Sequence, residues 1–423
     1  MNIIQYIIRF LLQGNDELAN AVGYTSNPDQ YSRYRVVIRP SGFFESESYG
    51  KKSSIPALPL KKIDNTEISF GNDRVEQKGS TVFVEADIVA SSFFFLSRYE
   101  EFVRDDCFDQ HNRFEGKKSL QFKAGFINRP IVDEYGILLR KWLRKAGMEV
   151  KEPNTECSKV YLTHDVDVLE TYRHFRGFWG GVCRGNFRNV INSLSSITKD
   201  CAFTFDWLIN QDLKIKDAEK LFFIKASKGG REFDYPQYNL FGKDFRFLLN
   251  LIKKNNCKTG LHTSYYSYDA PYIVEDELDR LSNATNQKIS CNRTHFLRIL
   301  PPNLPQTYTK SRITDDFSVG FADIAGFRLG TSRAVNWINP QTFEIEPVIL
   351  HPLTLMDVSL SNKNYMNLPC NEAFTVAKNI IHQTKKHNGE LVLLWHNTSI
   401  AANSNSYHQN LYSQIIDFMR DGL

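Results

Sequence analysis

The sequence has few cysteines, and none of them stands in a pattern that marks a structural or redox site. The seven cysteines include no Cys-x-x-Cys pair, and their number is odd. Such a set forms neither a disulfide framework nor a cysteine zinc site. Reduced thiols are typical of the cytoplasm, so we expect a cytoplasmic protein.

Long apolar runs are absent as well. No stretch reaches the roughly 18 apolar residues that a membrane-spanning helix requires, so we expect no transmembrane segment. Residues 1–20 are interrupted by Gln5 and Arg9, and they lack a basic start and a small-residue cleavage site. They therefore do not resemble a signal peptide. Helical spacing of the apolar residues predicts an amphipathic first helix, with Ile3, Ile4, Ile7, Ile8 and Leu11 on one face.

Basic residues outnumber acidic residues only slightly. The net charge is +4, and over the whole chain the two signs are mixed. A nucleic-acid binder usually concentrates its basic residues in one stripe, so we expect no nucleic-acid partner. The sequence makes no prediction about oligomeric state.

Size and composition indicate a globular protein of more than one part. The chain has 423 residues, of which 42% are hydrophobic and 24% charged, as in soluble folded proteins. This length favours two domains, or one barrel-sized domain with a large addition. The polar stretch 151–159 reads as a connection. We therefore predict a smaller α/β domain over residues 1–150 and a larger domain over residues 158–423.

The larger part alternates strand-like and helix-like segments. Residues 158–163, 221–226 and 390–395 are short apolar runs typical of buried strands, and residues 245–256 and 371–389 have helical periodicity. This alternation predicts an α/β fold with a parallel sheet.

Acidic residues and histidines follow three of these strands. Asp165 and Asp167 end the run VYLTHDVD, His262 ends KTGLH, and His396 follows LVLLW. Two carboxylates spaced by two residues face the same side of an extended chain, where a metal ion relieves their repulsion. Alone, the aspartates also fit a turn or a helix cap, and each histidine also fits a structural role. Their coincidence at three strand ends favours a functional site.

The order of these motifs resembles a known family. Thr-His-Asp-Val-Asp, Gly-Leu-His-Thr-Ser-Tyr, Gly-Phe-Arg-Leu-Gly-Thr and Leu-Leu-Trp-His-Asn look like the motifs of polysaccharide deacetylases of the NodB-homology type, over residues 158 to about 405. The resemblance implies a distorted (β/α) barrel that removes acetyl groups from acetamido sugars with one divalent metal. ASSFFFLSRYEE and RPIVDEY resemble the accessory N-terminal domain of deacetylase-like proteins from capsule and lipopolysaccharide loci, which implies a place near the inner membrane.

The resemblance also implies a metal site. Asp167 corresponds to the family's metal-binding aspartate, and His262 to the first histidine of its His-x-x-x-His motif. The second histidine is replaced by Tyr266. A replacement ligand could come from His295, Tyr266 or water, and we favour His295. Zinc is the expected ion, with cobalt and nickel as alternatives.

Three further residues correspond to the family's catalytic groups. Asp165 corresponds to the general base, Arg328 to the arginine that orders it, and His396 to the acid that protonates the departing amine. The expected partner is an acetamido sugar of a bacterial surface polysaccharide or its precursor. Two alternatives stay open, which are a non-catalytic carbohydrate-binding protein on a degenerate barrel and a metal phosphodiesterase.

Overall fold

A computed structural model describes residues 2–228, 232–268, 270–401 and 406–422. The helices are α1 (Ile3–Leu11), α2 (Asp16–Asn20), α3 (Ile88–Leu96), α4 (Tyr99–Val103), α5 (Leu120–Lys123), α6 (Ile131–Lys145), α7 (Phe175–Cys183), α8 (Phe187–Ser195), α9 (Phe205–Asp212), α10 (Lys243–Lys254), α11 (Pro271–Thr285), α12 (Gln306–Thr309), α13 (Asp357–Ser361), α14 (Cys370–Lys386) and α15 (Tyr407–Gly422). The strands are β1 (Val22–Tyr24), β2 (Val36–Ile38), β3 (Lys61–Ile63), β4 (Thr66–Ile68), β5 (Gly71–Lys78), β6 (Thr81–Ala86), β7 (Lys159–Val166), β8 (Glu219–Lys225), β9 (Lys258–Thr263), β10 (Cys291–Thr294), β11 (Asp315–Asp316), β12 (Val335–Ile338), β13 (Ile345–Leu350), β14 (Leu353–Met356) and β15 (Glu390–Leu394). No described helix is both long and apolar enough to cross a bilayer.

The first region is built on a four-stranded sheet with the order β1-β2-β6-β5. Its first three strands are parallel, and β5 pairs antiparallel with β6. Helices α1, α3 and α6 pack against one another. The predicted amphipathic first helix is confirmed, and its apolar face is buried. Helix α3 is buried on every side, because its sequence IVASSFFFL is apolar or small all round.

The second region contains a nine-stranded sheet with the order β12-β13-β11-β10-β9-β8-β7-β15-β14. Every neighbouring pair is parallel except β12 and β13. Helices α10, α11 and α14 alternate with these strands along the chain. The prediction of an α/β fold with a parallel sheet is therefore confirmed.

The nine-stranded sheet is curled. His351 bonds to Asp315 on β11 at 3.0 Å and to Glu390 on β15 at 2.7 Å. These strands are five positions apart in the sheet, which would be about 24 Å if the sheet were flat. One side chain can contact both only because the sheet bends round on itself.

The two edges of this sheet are joined by a buried segment rather than by strand pairing among the described residues. Residues 317–333 cross the gap, where the Leu353 amide donates to the Val319 carbonyl and the Gly326 amide donates to the Thr354 carbonyl. The sheet is thus a curled half-barrel, and the finer prediction of a distorted (β/α) barrel of the NodB type stays a prediction.

The same segment binds the first region. Glu101 forms two hydrogen bonds with the Arg328 guanidinium, each 2.8 Å long, and Asp133 pairs with Arg333 at 2.9 Å. One apolar cluster also contains residues of both regions. The two regions are therefore joined by buried polar and apolar contacts, and the proposed domain limits of 1–150 and 158–423 stay a prediction.

Candidate metal and catalytic site

The carboxyl ends of four strands bring the predicted polar residues together. Asp165 lies in β7 and Asp167 directly follows it, His262 lies at the end of β9, His295 follows β10, and His396 follows β15. Parallel strands present their carboxyl ends at one edge of the sheet. Of these side chains only that of Asp167 is substantially exposed, at 25%. The curl of the sheet turns all five side chains toward one cavity.

Hydrogen bonds fix the orientation of the two histidine rings near Asp167. The Nδ1 atom of His262 lies 2.8 Å from the Arg293 carbonyl oxygen, and the Nδ1 atom of His295 lies 2.9 Å from a carboxylate oxygen of Asp234. A carbonyl oxygen and a carboxylate oxygen accept hydrogen bonds, so each Nδ1 carries the proton that it donates. In the neutral rings each Nε2 atom therefore presents a lone pair.

The lone pairs of the two Nε2 atoms point at a third acceptor, which is a carboxylate oxygen of Asp167. The Oδ1 atom of Asp167 lies 3.3 Å from the Nε2 of His262 and 3.4 Å from the Nε2 of His295. Among the described residues, Asp167 Oδ1 and His262 Nε2 are buried and have no hydrogen-bond partner. Converging acceptors repel one another unless a cation or a proton lies between them.

The separations fit a metal ion. Ligands at ~2.0–2.1 Å from a tetrahedral ion lie about 3.3–3.4 Å from one another. The donor atoms of Asp167, His262 and His295 all lie within 4.8 Å of each other. Tyr266, the alternative ligand, lines a neighbouring cavity with Ser264. The structure thus places the preferred three residues together, and their assignment as ligands is a proposal.

Asp165 is held by an arginine other than the predicted one. The Nη1 group of Arg293 donates to Asp165 Oδ1 at 3.1 Å and to the Thr163 hydroxyl at 2.7 Å. Arg328, which we placed beside Asp165, instead bonds to Glu101 and to the Gly320 carbonyl. The predicted position of Arg328 is wrong because its buried partner lies in the first region of the chain.

His396 carries its own carboxylate partner. Its Nδ1 lies 2.8 Å from Asp357 Oδ1, and its backbone N–H donates to Asp357 Oδ2 at 2.9 Å. Burial lowers the pKa of His396, but Asp357 outweighs burial and, with Asp167 and Asp165, raises this pKa to about 10. The Nε2 atom lies 3.9 Å from the Oδ2 atoms of both Asp165 and Asp167. Asp357 thus favours the protonated form of His396, whose Nε2 atom faces the paired aspartates.

The cavity above these residues is small. Its volume is about 270 Å³, and apolar side chains line much of it, among them Phe296, Met356 and Leu394. Small-molecule sites usually measure ~300–1,000 Å³, so this cavity suits one small group rather than several sugar rings. Arg113, from the first region, also lines it, and the Arg113 guanidinium donates to the Tyr365 hydroxyl at 2.9 Å.

Three residues of this site were missed in the sequence. Arg293 lies in β10, two residues before His295, which directly follows that strand, and this closeness was an available signal. Asp357 directly follows the short strand LTLM, as the other site residues follow their strands. Asp234 ends a short 3-10 helix (Glu232–Asp234), and nothing in its sequence surroundings distinguishes it.

Comparisons with known proteins add a family description for the first region. A family of unknown function, DUF7033, matches residues 2–148. No curated protein matches the chain. Among solved structures, the chain is similar to a "putative polysaccharide deacetylase" from Mycobacterium smegmatis, with 10% sequence identity and a TM-score of 0.41, covering 64% of this chain and 87% of that one. Agreement at this level carries no argument about function.

Proposed function

We propose that this protein is a metal-dependent hydrolase that removes the acetyl group from an acetamido sugar. One observation carries the proposal. The Nε2 atoms of His262 and His295 and a carboxylate oxygen of Asp167 converge with no hydrogen-bond donor between them in the neutral rings. Asp165 and His396 lie beside them. The convergence supports a divalent cation, and the flanking Asp165 and His396 supply a base and an acid. All three promote amide hydrolysis, because an amide is a weak electrophile with a basic leaving group.

Asp165 is suited to the role of base. Arg293 binds its Oδ1 atom and leaves Oδ2 toward the cavity, 3.6 Å from His262 and 3.9 Å from His396. The arginine keeps the carboxylate fixed in orientation. In the proposed reaction, Oδ2 accepts the proton of the attacking water.

His396 is suited to the role of acid. Because Asp357 binds Nδ1, the proton on Nε2 faces the aspartates and the cavity between them. This proton passes to the departing nitrogen, which leaves as an amine. Asp167, His262 and His295 would hold a divalent cation, which would supply polarisation of the amide carbonyl and a lower pKa for its bound water. Zinc suits this donor set, with cobalt and nickel as alternatives.

The first test measures metal content and acetate release together. Full-length protein, prepared without chelators and loaded with zinc, cobalt or nickel, is assayed on a panel of acetamido sugars. We expect Asp165→Asn to keep its metal and lose activity by about 10²- to 10⁴-fold, and Asp167→Ala to lose both. Asp206→Asn, an exposed position on α9, is the control and should change neither.

The alternatives make different predictions in the same experiment. A protein that binds metal but releases no acetate from any acetamido sugar is not the proposed enzyme. The carbohydrate-binding alternative then requires a sugar-dependent rise in melting temperature that persists in Asp165→Asn. Hydrolysis of a phosphodiester substrate without acetate release would instead favour the phosphodiesterase alternative.

A further inference from the structure

The segment that follows the metal site exposes an unusual number of large apolar side chains. Helices α7 and α8 form a hairpin over residues 175–195, here named the α7–α8 hairpin. Five of the thirteen large hydrophobic residues that are exposed in the described chain lie in it, and they are Phe175, Trp179, Phe187, Ile191 and Leu194. Phe175 is 79% exposed and Ile191 is 66% exposed.

These side chains lie on one face of each helix. Phe175 and Trp179 are four residues apart on α7, and Phe187 and Ile191 are four apart on α8, with Leu194 three residues further on. This is the spacing of an apolar stripe that packs against another surface. The stripe is exposed because the two helices use a different face to pack together, where Val190 lies against Gly181.

The charge of this segment departs from the even mixing in the rest of the chain. Residues 171–199 contain five basic residues and no aspartate or glutamate. Four of the basic residues are exposed, and none of the four has an ion-pair partner in the part of the chain that the structure describes. They are Arg176, Arg184, Arg188 and Lys199. The fifth, Arg173, pairs with Asp244.

The hairpin is fixed at the end of the sheet that carries the site. The Asp200 carboxylate accepts hydrogen bonds from the Thr171 and Tyr172 amides and the Ser193 hydroxyl, so it closes the base of the hairpin. The side-chain amide of Asn397, the residue after His396, donates to the carbonyls of residues 168 and 202 on both sides of that base. The exposed stripe is thus tied to the rim of the catalytic cavity.

We propose that the α7–α8 hairpin docks this protein on the surface of an anionic lipid bilayer. An interfacial amphipathic helix combines aromatic and aliphatic side chains, which enter the acyl boundary, with arginines, which bind acidic headgroups. The hairpin has both. Because Asn397 ties the base of the hairpin to the strand end that carries His396, docking would hold the site close to the membrane.

Charge distinguishes this partner from two others. A second copy of the chain would bring exposed arginines of like charge together, which opposes association through this face. A nucleic acid would accept the arginines and stack on aromatic rings, but it would leave the aliphatic side chains Ile191 and Leu194 without an apolar partner. A bilayer accommodates all of them.

Vesicle binding tests the proposal without reference to catalysis. Full-length protein is sedimented with vesicles of phosphatidylcholine and with equimolar vesicles of phosphatidylcholine and phosphatidylglycerol. We expect binding to the anionic vesicles that weakens as salt is raised. Replacing Arg176, Arg184 and Arg188 together by glutamine should weaken binding about fivefold per arginine, or on the order of 100-fold. Arg33→Gln with Arg35→Gln, at exposed positions of the first region, should have little effect.

A second variant tests insertion of the apolar stripe. Trp179→Ser combined with Ile191→Ser should weaken binding at least about tenfold, whereas Phe241→Ser, an exposed control, should not. Trp179 is half exposed, whereas Trp142, Trp337 and Trp395 are buried. Brominated lipids should therefore quench part of the fluorescence of the wild type, and this part should be lost in Trp179→Phe.

Three results would overturn the proposal. In the first, the wild type binds neither kind of vesicle. In the second, the hairpin variants change the sedimentation of the protein alone, which would assign the stripe to self-association. In the third, a single-stranded RNA competes fully with the vesicles, and a variant with Ile191→Ser and Leu194→Ser binds that RNA normally.

Discussion

Glu101 and Asp167 are both carboxylates among cationic or imidazole side chains, but their oxygens are satisfied to different degrees. Glu101 accepts four hydrogen bonds from Arg98 and Arg328. Asp167 Oδ1 is buried and accepts none among the described residues. Saturated polar networks hold structure together, whereas unsatisfied buried atoms require a ligand or another explanation. The comparison therefore distinguishes Glu101, which joins two regions of the chain, from Asp167, which belongs to the candidate metal site.

The largest effect is expected at the site, when His396 loses its partner. Asp357→Asn keeps the shape of the side chain but removes the charge that favours the protonated ring. We expect acetate release to fall by about 10²- to 10⁴-fold, with metal content unchanged. An Asp357→Asn protein with wild-type activity would show that His396 does not depend on this carboxylate. Asp421→Asn, near the C-terminus, is the control.

The next largest effect is expected at the junction. Glu101→Gln leaves the guanidinium groups of Arg98 and Arg328 buried without a counter-charge, which typically costs roughly 3–5 kcal/mol. The free energy of unfolding in denaturant should fall by this amount. Glu76→Gln, at an exposed ion pair, should change stability by less than about 1 kcal/mol. The folded fraction of Glu101→Gln should bind metal normally, and loss of metal from folded protein would contradict the separation of the two clusters.

A third effect concerns the curl of the sheet that brings the site together. Burial lowers the pKa of His351, but Asp315 and Glu390 outweigh it and raise this pKa to about 9. A raised histidine pKa stabilises the fold fully below the unfolded value of ~6.5, and this stabilisation is lost as pH rises to about 9.

The measurement compares the wild type with His351→Gln across this range. The wild type should be more stable by about 3 kcal/mol below pH ~6.5, and the difference should shrink toward zero above pH ~9. His382→Gln, at an exposed histidine of α14, should show no such trend. A difference that stays constant with pH would mean that packing, rather than charge, is what His351 contributes.

The smallest effect is expected at Arg113, where the first region contributes to the lining of the cavity. Arg113 belongs to the first region and lines the cavity beside Tyr365. Arg113→Met should raise KM about fivefold, which corresponds to about 1 kcal/mol of lost polar contact, and should leave kcat nearly unchanged. A large fall in kcat would instead give the first region a part in the chemistry itself. Arg312→Met, which removes surface ion pairs, is the control.

The sequence predicted the site residues whose positions each depend on a single strand. Asp165, Asp167 and His262 end apolar runs, and the carboxyl ends of parallel strands meet at one edge, so their proximity followed from local pattern. Arg293 on β10 contacts Asp165 on β7, and two strands lie between them in the sheet. This contact exists only because the sheet curls. Arg328 was misplaced because its partner, Glu101, lies 227 residues earlier in the chain.

The α7–α8 hairpin was missed for a different reason. Its apolar residues recur at helical spacing, but each helix has only nine residues, so the periodic pattern is short. Glycines at positions 177, 180, 181 and 185 further weaken its helix propensity. Local pattern therefore predicts long helices with few glycines better than short helices that contain several glycines.

The hydrogen bonds of Asp200 at the base of the α7–α8 hairpin have a consequence for how the length of the hairpin can vary. One carboxylate holds the Thr171, Tyr172 and Ala202 amides, so the chain enters and leaves the hairpin at nearly the same point. The entropic cost of a loop with fixed ends grows only slowly with its length. We therefore expect changes of length within the hairpin to leave the positions of Asp165 and His396 unchanged.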